Sequence, residues 1–386
     1  MERTERSPFA IGLGDITGAI ADLGILVPLA TALILVNGLD AGSVLLAAGA
    51  LVIATGLVFK VPFPVQPLKA LTAVAVAQKL APGVIHAAGL EIAAFLMLLS
   101  IKGIADRVAK LFTKPVVRAL QLGVGILLVV TAAKMVADPP AIFRGTPTPP
   151  WLLVLAGLAF ALVAWASAKK RYELALLMLV GGAAGVVLAV HPHIAGPSLS
   201  LPHLSLPSLA AFGSAFFLLV IPQLPLTFGN AVVAVTDLEH EYFGERARRV
   251  SASRVCLSCA AGNVFSALIG GMPMCHGAGG LTAHVRLGAR SAGMNVVLGA
   301  VLVGLGLFFA PQIPALLGLL PVWVLAGFLG YAGFRHAWLV ADLRGAPLII
   351  AVVAGCVGAY LGNLAVTAAI ALAAAHLPTL ARTRKT

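Results

Sequence analysis

Gly271-Met-Pro-Met-Cys-His-Gly-Ala-Gly-Gly280 interrupts an apolar region long enough to cross a bilayer, and Val61-Pro-Phe-Pro-Val-Gln-Pro-Leu-Lys69 interrupts another roughly half the chain earlier. Prolines and glycines at this density preclude an unbroken helix through either stretch. Lipid offers no hydrogen bonds to unpaired N–H and C=O groups, so non-helical backbone at membrane depth has to face protein or a water-filled cavity. Two such interruptions at corresponding positions in two halves point to a transporter's binding site.

Working outward, the chain is 60% hydrophobic and 10% charged, with a mean hydropathy of +1.03. Soluble domains carry about 25% charged residues, so this is a polytopic membrane protein. The net charge of +12 would suggest nucleic acid in a soluble chain. Here the basic residues cluster in short loops, where they set membrane orientation, and no nucleic-acid partner is expected. Residues 1–8 show no signal-peptide pattern and read as a retained tail. Cys256-Leu-Ser-Cys259 has the spacing of a redox or zinc motif but lacks a companion pair, so both cysteines read as small packing residues; no metal or cofactor is expected.

Cutting at Gly, Pro and charge clusters gives fourteen crossings. They fall at 14–37, 42–59, 61–80 (broken), 83–101, 115–136, 151–168 and 172–190, then 208–236, 255–269, 271–287 (broken), 293–310, 313–334, 346–361 and 363–377. Most approach the ~20 residues that span ~30 Å of hydrocarbon. With a cytoplasmic N-terminus, all 26 Lys and Arg fall on the inner side except Lys69, Lys79, Lys134 and Arg144, which supports fourteen crossings with both termini in the cytoplasm.

Seven crossings per half make the second half start from the opposite side, so a repeat between them is inverted. Leu71-Thr-Ala73 and Leu281-Thr-Ala283 follow the two breaks at an offset of 210 residues. The reading is an all-α, seven-plus-seven inverted repeat: residues 1–190, an extracytoplasmic linker at 191–207, and 208–386, with segments three and ten broken. Residues 102–114 read as a short amphipathic surface helix.

In this topology a half-helix starts near Pro67 or Leu68 and another near Gly279 or Gly280, with their N-termini facing each other at mid-membrane. Each N-terminus presents unpaired N–H groups and about half a positive charge, which favours an anion. Lys69 adds a full charge, and Gly277, Gly279 and Gly280 let an oxyanion approach the backbone. Gln66 and Gln223 supply neutral amide donors, and Thr227 and Asn230 follow along segment eight. Pro67, Cys275 and His276 complete the candidate site, with His276 either touching the ligand, carrying a proton or serving as a core histidine. Asp22 and Glu91 are the intramembrane acids open to ion pairing or proton coupling, while Asp15 lies near the inner end, where solvation suffices. Adjacent Cys275 and His276 on a Gly-rich turn do not make a nucleophile–base pair without an orienting group, so no enzyme is expected. Gly277-Ala-Gly-Gly280 lacks the Lys-Ser/Thr of a phosphate-binding loop.

Pro62–Ala70 and Met272–Leu281, followed by Gly288-Ala-Arg290, resemble the paired signatures of the molybdate transporter family related to the sulfate permeases. Asp22-Leu-Gly24 with Pro28, and Gln223-Leu-Pro-Leu-Thr-Phe-Gly-Asn-Ala231, are similar to that family's first and eighth segments. Leu68 stands where the family usually has methionine. The stretch after Leu377 is too short for the cytoplasmic regulatory domain of many sulfate permeases.

The resemblance implies a sulfate permease and uracil permease-like fold. Its core domain would comprise about 14–101 plus 208–310, moving against a gate domain of about 115–190 plus 313–377. It further implies uptake of molybdate across the cytoplasmic or plasma membrane by alternating access, with sulfate as the alternative substrate. A proton is the expected coupling ion. A channel of the same fold is the other reading, and dimerisation through the gate domain is common in related folds. Lys69→Ala and Gln66→Ala are each expected to impair oxyanion uptake severalfold while membrane insertion stays intact; wild-type uptake in either variant would remove that residue from the site.

Overall fold

The computed structural model describes residues 7–20, 23–101, 104, 113–139, scattered positions from 154 to 169, 196–318 and 322–383. Asp22 and almost all of the expected surface helix at 102–114 and crossings at 151–168 and 172–190 lie outside the described residues.

Apolar runs bounded by caps and breakers become helices. α1 (Leu13–Ile20) and α2 (Leu23–Leu35) occupy the first run. α3 (Ala41–Phe59) starts at Asp40, whose carboxylate accepts the Ser43 N–H at 2.7 Å, and stops where Lys60 turns left-handed at φ 60°. An extended stretch leads through β1 (Gln66–Pro67) into α4 (Lys69–Ala77), followed by α5 (Pro82–Ser100) and α6 (Lys114–Ala137).

Beyond the linker, α7 (209–243) is one long helix with π-helical stretches at Phe216–Val220 and Thr227–Val233, followed by a 3-10 turn at Gly244–Ala247. They flank Pro222 and Pro225, which cannot donate to the preceding turn, so widened turns there are the local answer to two prolines within one helix. α8 (Ala252–Leu268) leads to an extended stretch, β2 (Met274–Cys275) and α9 (Ala278–Arg286). α10 (Gly293–Phe308), α11 (Ile313–Gly318), α12 (Val322–Trp338), α13 (Ala346–Tyr360) and α14 (Leu364–Thr383) complete the order.

Two helix groups emerge from the packing. α3 packs on α10, α5 on α8, and α1 on α9 and α10; α6 packs on α12, α13 and α14, and α4 lies against α6 between the groups. Close approach rests on glycine, as expected where lipid supplies no hydrophobic drive between helices. A Cβ on Gly299 of α10 would sit 2.7 Å from the Gly49 carbonyl oxygen of α3, and one on Gly333 of α12 would sit 2.7 Å from the Gly125 carbonyl oxygen of α6.

Polar ties close the ends. Asp15 is 5% exposed, and its carboxylate accepts the N–H groups of Gly12, Arg290 and Ser291 at 3.1, 2.8 and 2.9 Å. Asp15 therefore locks α1 to the α9–α10 turn instead of standing in solvent. The linker lies along helix ends, with Ser198, Ser200 and Ser205 N–H groups donating to the carbonyls of Phe308, Leu307 and Leu268. Asp342 receives Lys114 at 2.9 Å and Arg118 at 2.5 Å; the Arg118 hydrogen bond, seconded by Lys114, holds its carboxyl below the usual carboxylate range.

Helix boundaries depart from expectation in one informative place. Segment eight, expected to end at 236, continues as helix through Asp237-Leu-Glu-His-Glu-Tyr-Phe243, because helix-forming residues extend it past the apolar run until Gly244 turns it at φ 53°.

Gly299→Leu is expected to separate α3 from α10 and lower the detergent-solubilised melting temperature by several degrees. Gly304→Leu on the same helix, where a Cβ meets nothing within 4 Å, serves as its control. Equal melting temperatures for the two variants would remove close approach at Gly299 as the determinant.

Candidate functional site

The two interrupted stretches meet. β1 and β2 pair antiparallel, with Gln66 opposite Cys275 and Pro67 opposite Met274, and the Leu68 N–H donates to the Pro273 carbonyl at 3.1 Å. Proline supplies no N–H at positions 62, 64, 67 and 273, so the number of donors needing partners is already small. Asn263 of α8 and Asn295 of α10 satisfy much of the remainder. Asn263 accepts the Met274 N–H at 2.9 Å and donates to the Met274 carbonyl at 2.7 Å. Asn295 does the same for Phe63, at 2.9 and 2.7 Å. Each amide thus acts as a surrogate strand for one residue of extended backbone.

His276 is fully buried, its ring 4.7 Å edge-on from that of Phe63. Its Nδ1 lies 2.9 Å from the Pro64 carbonyl oxygen and its Nε2 lies 3.2 Å from the Ser258 hydroxyl. A carbonyl only accepts, so Nδ1 carries a hydrogen. Both ring nitrogens face protein, and His276 braces one interruption against the other.

From this crossing the two short helices depart. α4 begins at Lys69 after Leu68, and α9 begins at Ala278 after Gly277, each within about a residue of the position read from the sequence. Pro67 precedes the α4 N-cap, in β1, instead of opening the helix. Neither N-cap residue supplies a side-chain hydrogen bond to the first turn. Lys69 and Gly279 are separated by the same 210 residues as the Leu-Thr-Ala echo. Lys69 is part-exposed and Gly279 exposed, while Gln66, Pro67, Leu68, Ala70, Gly277, Ala278 and Gly280 around them are buried. A Cβ on Gly279 would meet nothing within 4 Å. Equivalent positions of the two helix starts are therefore the less covered ones, with open space recorded beside Gly279.

The remaining predicted residues divide by partner. Gln66 is fully buried, with its Oε1 2.1 Å from where a Cβ on Gly277 would stand, so only glycine fits opposite it. Gln223 accepts the Leu71 N–H at 2.9 Å and donates to the Thr227 hydroxyl at 2.9 Å, so its amide satisfies an orphan donor of α4 and is already committed. Asn230, a little further along α7, is part-exposed. Cys275 is 5% exposed, and Cys256 and Cys259 are buried without disulfides, in keeping with packing. Glu91 lies part-buried on α5, and its Oε2 has no hydrogen-bond partner among the described residues. A cavity of about 480 Å³ lined by Asp40, Ser200, Pro311 and Pro314 contains none of the predicted site residues.

Three structural residues were not singled out from the sequence: Asn263, Asn295 and Asn37, the last donating to the Ala75 and Leu80 carbonyls at the far end of α4. Each is a lone amide inside or beside an apolar run, which is the signal that marks it.

A helical membrane protein whose short helices begin at a buried crossing belongs with secondary transporters. The fold matches the transmembrane domain of a cyanobacterium bicarbonate transporter, BicA, with a TM-score of 0.63 over 95% of this chain and 98% of that one, at 17% identity. Murine Slc26a9, an anion transporter in the inward-facing state, matches at a TM-score of 0.65 over 96% of this chain and 69% of that one, at 13% identity. By sequence, Molybdate transporter 2 of Arabidopsis thaliana is 32% identical over 86% of this chain and 79% of its own length. Molybdate transporter 1 of Chlamydomonas reinhardtii is 28% identical over 89% and 86%. The family described as molybdate transporter of the MFS superfamily matches residues 14–128 and 215–335. The chain belongs to this molybdate transporter family: it is an integral membrane transporter and not an enzyme.

Asn263→Leu is expected to orphan the Met274 N–H and carbonyl, at about 1–3 kcal/mol for each buried group left unpaired. Thermal unfolding in detergent should shift down by several degrees, and an unchanged midpoint would show that another group satisfies this backbone.

Proposed function

We propose that the protein imports a tetrahedral oxyanion, with molybdate as the primary substrate, by alternating access to a site between the N-termini of α4 and α9. The observation that supports this reading is that part-exposed Lys69 and exposed Gly279 stand at equivalent places on two helix starts whose neighbouring residues are buried. The helix dipole at each start favours an anion, Lys69 supplies a full positive charge, and the missing side chain at Gly279 leaves the backbone accessible. Molybdate is favoured among dianions by the relatives' names and by family membership. Sulfate is the alternative of the same shape and charge.

In this reading, segments three and ten are broken at 61–69 and 271–280 within fourteen crossings arranged as seven plus seven. Both termini are cytoplasmic, in keeping with the distribution of Lys and Arg. The group containing α1, α3, α5, α8 and α10 carries the site, and the group of α6 with α12, α13 and α14 serves as the gate. The pairing of Gln66 with Cys275 ties α4 and α9 together, so the site moves as one body against α6. Gln66, Pro67, Cys275, His276, Gly277 and Gly280 shape the floor of the site, Gln223 and Thr227 hold α4, and Asn230 lies along its edge.

A dianion entering against an inside-negative potential costs about 2.3 kcal/mol per charge per 100 mV, so uptake is coupled to a cation, and a proton is the simplest. Asp22 and Glu91 are candidates for carrying it. With both ring nitrogens occupied, His276 is better suited to bracing the crossing.

Labelled molybdate uptake into proteoliposomes, with sulfate, tungstate and selenate as competitors, tests this reading. Saturable uptake at transporter rates, accelerated by an inward proton gradient and competed best by tungstate, is expected. Competition strongest by sulfate would reassign the substrate. Channel-like conductance in a bilayer recording would contradict alternating access.

A further inference from the structure

The inner end of α7 reads Thr236-Asp-Leu-Glu-His-Glu-Tyr-Phe243, and its titratable residues do not share one environment. Asp237, His240 and Glu241 are exposed, whereas Glu239 is 0% exposed and neither of its carboxyl oxygens has a hydrogen-bond partner among the described residues. Val235, Glu239 and Tyr242 follow at spacings of four and three and so lie on one helical face. Val235 is buried, and the Tyr242 hydroxyl stands 3.3 Å from the Thr282 hydroxyl of α9. This part of α7 packs directly on α9, the helix whose N-terminus helps form the proposed anion site.

A bare carboxylate in that setting is heavily penalised, whereas a protonated acid is much easier to bury. The surrounding charges leave it uncompensated. On α9, His284 directs Nδ1 to the Gly18 carbonyl at 2.7 Å, and among the described residues no side chain of α9 hydrogen-bonds to either Glu239 oxygen. In the turn that ends α7, Glu245 is exposed, and Arg246 donates to the Arg290 carbonyl and lies over the Phe243 ring.

We propose that Glu239 is a proton-binding site linked to the anion site through the contact between α7 and α9. With its proton on, the acid buries dry against α9, the arrangement seen here. When the contact opens, the carboxyl meets water beside exposed Asp237, His240 and Glu241 and gives up its proton to the inner solution, and the charged form then resists reburial. Proton occupancy and the position of α9 are thereby one equilibrium. This inference rests on the oxyanion-transport reading above.

The test is labelled-molybdate uptake into proteoliposomes of uniform orientation, with luminal pH varied at fixed external pH. In wild type the initial rate is expected to change severalfold across the titration, approaching tenfold per pH unit where a single ionisation limits the rate. Glu239→Gln, which mimics the protonated acid, should still exchange molybdate within about twofold of wild type but lose the luminal pH dependence. Glu239→Asp should retain that dependence with a displaced midpoint. A wild-type pH profile in Glu239→Gln would overturn the inference and leave the transport reading intact. So would a properly folded Glu239→Gln that is inactive at every pH, since that marks a purely structural residue. Absence of molybdate uptake by wild type, against sulfate uptake as a control for reconstitution, would overturn the molybdate reading; if sulfate uptake then lacked any luminal pH dependence, the role of Glu239 would fall as well.

Discussion

Extended backbone inside a membrane protein is tolerated only if its peptide groups find partners, and the organisation of this chain follows from how that constraint is met. Residues 61–67 and 271–277 cross as a two-residue antiparallel pair, and amides from neighbouring helices hold what the pair leaves open. Proline reduces the number of donors, Asn263 and Asn295 take one residue each, and His276 bridges from one stretch to the other. With the crossing satisfied in this way, α4 and α9 can both start in the interior, one directly after each extended stretch. The anion site proposed at these two starts would then be a by-product of solving a hydrogen-bonding problem.

The surrounding helices make that crossing rigid. Glycine contacts between α3 and α10 bring backbones close enough for Asn295 to reach Phe63, and Asp15 fastens α1 across the turn that follows α9. Gln223 connects the prolines of α7 to α4 by accepting the Leu71 N–H. The widened turns around Pro222 and Pro225 lie next to that contact, so irregularity in α7 and the start of α4 are linked. Further along the same helix, Tyr242 reaches Thr282 of α9, on the face that also buries Glu239.

Much of this was legible in the sequence, for physical reasons. Prolines at 62, 64, 67 and 273 with dense glycine after the last rule out an unbroken spanning helix through either stretch, and the Leu-Thr-Ala echo at an offset of 210 gave the two breaks their relation. The starts of α4 and α9 could be read to within about a residue because N-caps and breakers are local signals. Less legible was which side chains serve the ligand and which serve the backbone. Gln223 has the chemistry of a ligand donor, but its amide is consumed by Leu71 and Thr227. Asp15 reads as solvated from its place near the inner end of segment one, and only the two N–H groups brought to it by a segment 275 residues away, beside that of Gly12, show otherwise. Asn263 and Asn295 were visible as polar residues in apolar runs, yet their partners are set by tertiary contacts that spacing does not encode.

The central claim concerns a location: a dianion bound between the first turns of α4 and α9, within reach of Lys69 and the Gly279 backbone. Anomalous scattering from molybdenum in crystals of the protein grown with molybdate measures that location directly. A peak between these two helix starts is expected, and it should weaken or vanish in Lys69→Ala. A peak elsewhere, for example in the cavity beside Asp40 and Pro311, with none at the crossing, would contradict it.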